Sequence, residues 1–468
     1  MGDAFVEELA AALPEGAVVT DRDVLETYRW DRTTWIEPGH PAAACFPTTT
    51  AQVAAAVKVA AAHRVPIVPR GAGSSLSGGS SASDGCLVVC LERMDRILEV
   101  DGVDQTATVE PGVLNADISA ATGEHGLFYP PDPASMTFCS IGGNVATNAG
   151  GLCCVKYGVT RDYVMGLEVV LADGTVIETG RNTIKGVAGY DLTGLMVGSE
   201  GTLGIVTRIR LRLRPAPPGA STMVAFFPTL GAAGRAVADI TTSGLQLSLL
   251  ELMDRAMIGA VDDWRNMGLD RDAAALLLAQ SDNPAPVRKE EVERAAALCE
   301  AAGATYTAAT DDPDEADALV EARRLAGSAV ERLGDVIWDD VGVPRSRVPD
   351  LIGRIESIGE RHGADVYTVA HAGDGNLHPT FLVPHGDEDA RARALLAFDE
   401  VLDAALELGG TTTGEHGVGR IKLRTLEREL GSGNLAVQRT IKEALDPLGL
   451  LNPGKALPPT GSAGRGGA

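Results

Sequence analysis

Pro130-Pro131-Asp132-Pro133-Ala134-Ser135-Met136-Thr137-Phe138-Cys139-Ser140-Ile141-Gly142-Gly143-Asn144-Val145-Ala146-Thr147-Asn148-Ala149-Gly150-Gly151 is the stretch on which the reading of the fold turns. Small residues fill it, so a large planar ligand can lie against backbone. Its Asn, Ser and Thr side chains supply hydrogen bonds. Upstream, Arg70-Gly71-Ala72-Gly73-Ser74-Ser75-Leu76-Ser77-Gly78-Gly79 follows an apolar strand and has the backbone freedom that wraps a phosphate. Downstream, Gly198-Ser199-Glu200-Gly201-Thr202-Leu203-Gly204-Ile205 repeats the character. Three such loops in one region imply an extended ligand rather than a single phosphate.

The common nucleotide motifs do not account for these loops. Leu76 stands where the third glycine of a dinucleotide fingerprint belongs. No Lys-Ser/Thr follows Gly78, as a Walker loop requires. A nicotinamide-dependent enzyme is disfavoured on that ground.

Farther along, His371-Ala372-Gly373-Asp374-Gly375-Asn376-Leu377-His378 brackets a turn signal with two of the chain's eight histidines. Asp-Gly favours a two-residue hairpin. That turn would set Gly373 across from Asn376, Ala372 from Leu377, and His371 from His378. Directly opposed residues hold their Cβ atoms about 4.5–5.5 Å apart, near enough for two imidazoles to reach one ion. Gly414-Glu415-His416-Gly417 adds a carboxylate and a third imidazole. Two histidines and a carboxylate, with a spare histidine, suit a metal site with a base beside it. A hairpin can also carry two histidines with no chemical role, so the pattern needs context.

Composition bounds the rest. At 468 residues the chain exceeds what one core usually serves, so two or more domains are expected. A net charge of −24 argues against nucleic-acid binding and gives no attraction to anionic lipid. No stretch is apolar for the ~20 residues of a membrane helix. The N-terminus lacks a basic region followed by an apolar run, so no secretory signal is expected. Seven cysteines in no regular framework suggest a reduced, cytoplasmic setting. Peripheral association at the inner membrane face remains compatible. No Cys-x-x-Cys occurs, which disfavours an iron–sulfur cluster in the chain. The vicinal Cys153-Cys154 pair reads as small, buried packing.

Periodicity predicts a helical lead-in over 1–37, then a strand at Ala42–Pro47 and a helix capped by Thr50 and running to about His63. Strands follow at Val65–Pro69, Leu87–Leu91, Thr106–Glu110 and Val164–Leu171, with a hairpin at Asp173-Gly174. Thr207–Leu213 alternates Arg208, Arg210 and Arg212 with apolar residues and reads as a half-buried strand with a solvated arginine face. Pro215, Pro217, Pro218 and Gly219 mark a boundary. Beyond it strands and helices alternate, as in an α+β sheet with helices on one face. The predicted strands are Thr222–Phe227, Gln246–Met253, Ala274–Gln280, Ala304–Thr310 and Val336–Val341. The predicted helices are Gly231–Ser243, Pro286–Ala302 and Asp314–Leu333. The segment after Gly414 is expected to be helical, and the Gly/Pro-rich tail from Pro458 to be disordered.

The segments PRGAGSSLSGG (69–79), PPDPASMTFCSIGGNVATNAGG (130–151) and VGSEGTLGIVT (197–207) together resemble the FAD-binding domain of the vanillyl-alcohol-oxidase/p-cresol-methylhydroxylase type. HAGDGNLH (371–378), GEHGVG (414–419) and LNPGK (451–455) narrow the likeness. They are similar to the branch holding D-lactate dehydrogenases, the FAD subunit of glycolate oxidase and D-2-hydroxyglutarate dehydrogenase. The resemblance spans about Pro38 to Lys455. It implies an α+β architecture: a two-subdomain PCMH-type FAD-binding domain over 38–215, then a cap domain over 216–413. The cap would be an antiparallel, ferredoxin-like sheet covered by helices. A helical segment over 414–457 would return to the FAD domain, with a tail at 458–468.

The resemblance also implies roles. Pro69, Arg70, Gly71, Ala72, Gly73, Ser74, Ser75 and Ser77 would hold the FAD pyrophosphate. Pro131, Ser135, Thr137, Ser140, Gly142, Gly143, Asn148 and Gly151 would line the flavin and its linker. Glu200, Gly201, Gly204 and Ile205 would hold the adenine end, and Asn452 joins the cofactor set. The first loop carries no histidine, so FAD would be non-covalent; His125 reads as structural. His371, His378 and Glu415 would bind a divalent ion, with zinc, manganese and iron all suited to the donors. His416 would be the base. Arg323, with Arg324 as the alternative, would bind the substrate carboxylate.

One departure bears on substrate. Trp338 precedes Asp339-Asp340-Val341-Gly342-Val343-Pro344, where the hydroxyglutarate enzymes carry a lysine. A missing second cation favours a small monocarboxylate, D-lactate or glycolate, over a dicarboxylate. The implied activity is oxidation of a D-2-hydroxy acid to the 2-oxo acid. Electrons would leave to a quinone, a cytochrome, an electron-transfer flavoprotein or a separate iron–sulfur subunit, and a homodimer is compatible. The alternatives are the FAD subunit of a glycolate oxidase complex, a D-2-hydroxyglutarate dehydrogenase, and a flavin- and metal-binding sensor without turnover. The base and the arginine count against the sensor.

Overall fold

In the computed structural model, which describes residues 3–458, the chain forms two compact units. Among the described residues the first comprises 3–150, 159–216 and 415–458; the second comprises 151–158 and 217–414. The tail expected to be disordered lies, from 459 on, outside the described residues. Among the described residues no helix is long and apolar enough to cross a membrane.

The first unit holds two main sheets. In one, Ala43–Cys45, Leu87–Cys90 and Ile67–Arg70 run parallel, with Val18–Val19 antiparallel at the edge. The helix Thr50–His63 packs on it through Val53 and Val57, which share a core with Phe5, Leu9, Ile67 and Leu87. Its cap is Thr49, one residue before the expected Thr50: the Thr49 side chain accepts from the Gln52 N–H. The outer edge of Ile67–Arg70 is closed by the returning C-terminal chain. Ile67 N–H donates to Leu450 O and Asn452 N–H to Ile67 O, each at 2.7 Å. An edge so covered cannot template further pairing.

The second sheet of this unit is antiparallel, ordered Ile97–Asp101, Thr106–Val109, Ile205–Arg212, Val164–Val170, Val176–Gly180. Arg208, Arg210 and Arg212 point away from its core as the alternation predicts. Arg208 reaches Glu168 at 2.8 Å and Glu178 at 2.6 Å.

The second unit is built on an eight-stranded antiparallel sheet. Its order is Tyr306–Thr310, Ser221–Phe227, Ala275–Ser281, Leu249–Asp254, Asp365–His371, Asn376–Val383, Asp335–Trp338, with Val341–Gly342 also on Asn376–Val383. Helices were expected on one face; they cover both. Val224, Phe226, Leu276 and Leu278 share a core with Met257, Ile258 and Val261 of the helix Arg255–Arg265 and Val330 of Ala326–Glu331. The alternate positions Met223, Ala225, Phe227 and Leu277 are equally buried. Leu230–Thr242 and Val287–Ala302 pack against those strands.

Three helices of more than ten residues in this unit escaped the sequence reading: Arg255–Arg265, Val348–His362 and Glu388–Glu407. The first follows its strand with no intervening loop, and its only start signal is Asp254, whose carboxylate accepts from Met257 N–H at 2.8 Å. The expected helix over 314–333 is two, Pro313–Arg324 and Ala326–Glu331, broken at Leu325.

Candidate functional site

The His371–His378 hairpin is real, but its register differs from the expected one. Asp365–His371 pairs with Asn376–Val383 so that His371 faces Asn376, Ala370 faces Leu377 and Val369 faces His378. The loop is therefore four residues, Ala372 to Gly375. The tight turn first read here needs positive φ at both Asp374 and Gly375; only Gly375 has it, at +89°. Asp374 instead uses its carboxylate to accept from Asn376 N–H at 3.2 Å. Slipping by two residues keeps every side chain on its face, because the strand period is two. The histidines are thus diagonal rather than opposed. Their ring centroids still lie 5.1 Å apart, at 85°.

Both rings are buried, and each has an acidic neighbour. Glu251, on the strand Leu249–Asp254, is the register partner of His371. Its Oε1 lies 2.7 Å from His371 Nδ1, and its Oε2 accepts from Arg323 Nε at 2.7 Å. Glu251 is 1% exposed and Arg323 5%. Arg323 sits in the last turn of Pro313–Arg324; Arg324 is exposed. On the other side, Asp340 Oδ1 lies 3.9 Å from His378 Nδ1 and accepts from Asn376 Nδ2 at 2.6 Å. Its second oxygen accepts from Thr413 Oγ1 at 2.8 Å and Gly414 N–H at 2.9 Å. Asp340 so pins the chain one residue before Glu415. Glu251 and Asp340 had no role in the sequence reading. A lone glutamate inside Leu249-Leu250-Glu251-Leu252-Met253 was the signal for the first.

Trp338 packs its ring edge against Gly327, where an added Cβ would stand 2.9 Å away. The position read as lacking a cation thus fills space against the helix Ala326–Glu331.

In the first unit the three glycine loops meet. Ser140 Oγ accepts from Ala72 N–H at 3.2 Å, and a side chain at Gly71 would strike that hydroxyl. Gly198 and Glu200 donate their N–H groups to Val145 O and Ala146 O, at 2.9 and 2.8 Å. Gly201 lies against Pro69. Asn452 Nδ2 ties the set together, reaching Gly79 O at 2.9 Å and Glu200 O at 2.7 Å. The Glu200 carboxylate is buried and accepts from Val418 and Gly419 N–H, both at 2.8 Å. Burial pushes its pKa up against those bonds. Side chains of Glu200 and Asn452 are therefore spent on holding the loops together. Asn148 closes the helix Ile141–Thr147 at φ +55° and accepts from Arg161 N–H. Gly151 is the first residue of the second unit's short segment 151–158.

Glu415 and His416 open the last segment of the first unit and are half-buried. The His416 carbonyl accepts from Ser77 Oγ at 3.1 Å, and Arg420 N–H donates to Ser77 O at 2.8 Å. The Glu-His-Gly segment is thus fastened by backbone to the first glycine loop.

Five of the seven cysteines are buried; Cys153 and Cys154, expected to be buried packing, are only half-buried, at the start of the helix Cys154–Tyr157. None of the seven forms a disulfide.

A cradle of this kind suits a dinucleotide. Among the described residues no protein group accepts from the backbone N–H of Gly73 or Ser74, and such consecutive amides make an anion nest. Fold and loops define an FAD-linked oxidoreductase of the p-cresol-methylhydroxylase architecture. Residues 41–180 match the family model for the FAD binding domain, and residues 216–456 match FAD linked oxidases, C-terminal domain. The chain belongs to the FAD-linked oxidase family.

Named relatives refine the class. The chain is 44% identical over 416 residues to glycolate oxidase subunit GlcD of Bacillus subtilis (strain 168), spanning 89% of this chain and 88% of that one. It is 32% identical to D-lactate dehydrogenase of Anaerostipes hadrus, over 96% of both chains. In fold it resembles 4-ethylphenol oxidase from Gulosibacter chungangensis, with a TM-score of 0.81, 21% identity and 98% of each chain covered. p-Cresol methylhydroxylase follows at 0.78 and 19%, over 97% of this chain and 96% of that one. The protein is thus an FAD-linked oxidoreductase of the glycolate oxidase and D-lactate dehydrogenase type.

Proposed function

We propose that this protein oxidises a small 2-hydroxymonocarboxylate to its 2-oxo acid with non-covalent FAD as acceptor, D-lactate being the first substrate to test. The observation that carries the reading is the buried Arg323–Glu251–His371–His378 cluster at one end of a hairpin. In it a guanidinium and one imidazole share the Glu251 carboxylate, with the second imidazole in ring contact, which supports reading Arg323 as a carboxylate clamp and the histidines as metal ligands.

The residues divide the work. His371 and His378 offer two nitrogens and Glu415 an oxygen, a donor set that suits a divalent zinc, manganese or iron ion. Bound metal would supply Lewis acidity toward the hydroxyl, and FAD would take up the hydride. Arg323 engages Glu251 through Nε, which directs its two terminal nitrogens to a forked grip on a substrate carboxylate. His416 accepts the hydroxyl proton. Trp338, where a dicarboxylate enzyme would carry a cation, supports a short substrate.

A second reading has its own support. The 44% relative is a glycolate oxidase subunit, so glycolate is the competing substrate and a separate electron-accepting subunit the competing context. Anaerobic bleaching of the flavin absorption by D-lactate, L-lactate, glycolate and D-2-hydroxyglutarate tests both. Bleaching by D-lactate or glycolate is expected. Bleaching by none of the four, with FAD bound, would reject the proposal and leave a sensor.

A further inference from the structure

We infer that Glu251 is a positioning residue that sets the metal ligand and the substrate clamp with a single carboxylate. The inference rests on the function proposed above and deepens it. Oε1 faces His371 Nδ1 and Oε2 faces Arg323 Nε, each at 2.7 Å, and all three side chains are buried.

A carboxylate has no proton to give here, so it must accept from both neighbours. His371 therefore carries its ring proton on Nδ1 and presents the Nε2 lone pair as its ligating atom. Metal-binding histidines are held in this way by a carboxylate on the far nitrogen. The other oxygen locks the guanidinium plane of Arg323 through its single Nε–H, so the Nη pair points in a fixed direction. One negative charge thus offsets the buried arginine and orients the imidazole. Backbone geometry makes this possible: Glu251 and His371 are register partners on adjacent strands, and Arg323 arrives from a helix.

The sequence supports a structural purpose in the choice of residue. Neighbours Leu250 and Leu252 are both at most 2% exposed, so Glu251 interrupts an apolar strand, and a leucine there would leave the buried Arg323 guanidinium without its carboxylate. Glutamine is nearly isosteric but offers one acceptor oxygen, with an NH2 group in place of the other. In Glu251→Gln either His371 or Arg323 meets a donor instead of an acceptor.

The test uses full-length, FAD-loaded protein stripped of metal and titrated with Zn²⁺ alone, with His378→Ala defining the specific site. Glu251→Gln should keep its FAD and bind Zn²⁺ about 10–100-fold more weakly. At saturating metal, its KM for the hydroxy acid should rise at least about tenfold, as the clamp loosens. Wild-type affinity for Zn²⁺ in Glu251→Gln would overturn the inference and leave the function reading standing. No specific Zn²⁺ site in the wild type would remove the metal reading and the inference with it. Should the variant fail to fold, ¹⁵N-histidine spectra of the Zn²⁺-loaded wild type decide. A His371 proton on Nδ1 supports the assignment, and one on Nε2 overturns it.

Discussion

Asp340 Oδ1 accepts from Asn376 Nδ2 at 2.6 Å, joining the strand that carries His378 to the segment that leads into Glu415. Asp340 is fully buried, and its carboxylate takes hydrogen bonds from three different positions in its unit. Asp340→Asn puts an NH2 group against one of those donors. It should destabilise the second unit by about 2–4 kcal/mol, lowering its unfolding midpoint by roughly 5–10 °C. Differential scanning calorimetry with FAD present measures this directly; an unchanged midpoint would show that the network carries no stability.

Proton transfer should depend on His416. His416→Ala is expected to retain FAD while slowing flavin reduction by D-lactate or glycolate at least about 100-fold, the scale of general-base catalysis. Stopped-flow reduction at saturating substrate is the readout. Near-wild-type rates would remove His416 from the mechanism.

Metal content should follow the hairpin. Wild-type protein is expected to carry about one divalent ion per chain, and His371→Ala/His378→Ala none, with FAD retained in both. Elemental analysis beside the flavin absorbance separates the two sites, and equal metal in both proteins would reject the hairpin as the ligand source.

The first glycine loop should be intolerant of a side chain. Gly73 has φ +71°, and an added Cβ would run into the Arg70 guanidinium, which bonds to Trp30 O at 2.7 Å. Gly73→Ala should weaken FAD binding at least about tenfold by displacing the amides of the nest. Fluorescence titration of apoprotein with FAD gives the number. The fold should persist, because the loop lies outside the sheet core.

Asp254 makes a pH prediction. Burial raises its carboxyl from the usual range to about 7, against two backbone hydrogen bonds that favour the anion. A folded pKa above the unfolded one means the native state binds the proton more tightly. The stability so gained is full below about pH 4 and is lost as pH rises through 7. Urea midpoints at pH 5 and pH 7.5 should differ in the wild type by more than in Asp254→Asn, which cannot titrate. An identical difference in both proteins would exclude Asp254 as the source.

Much of the cofactor region was legible because its signals are local. Gly73 lacks a side chain for a reason inside its own loop, the Arg70 guanidinium, whereas Gly71 makes room for Ser140 and Gly142 for Pro111, contacts that only the fold creates. The hairpin too was legible as a hairpin, since Gly375 and the flanking alternation announce it. Its register was not. Whether Asp374-Gly375 is the whole turn or the end of a four-residue loop depends on Asp374's own hydrogen bond to Asn376, and on Val343, whose carbonyl closes over Gly375. The helix Arg255–Arg265 was missed because strand and helix share Asp254, with no loop between to mark the change.

By itself the sequence determined the family, the three glycine-rich loops and the histidine hairpin, each carried by residues within a few positions of one another. Only the tertiary structure decided what orients them. Glu251 lies 120 residues before His371 and 72 before Arg323, and no spacing rule links such positions. They meet because antiparallel pairing sets Glu251 opposite His371 and a packed helix delivers Arg323. A buried carboxylate is stable there only because both partners reach it, and that condition belongs to the folded chain alone.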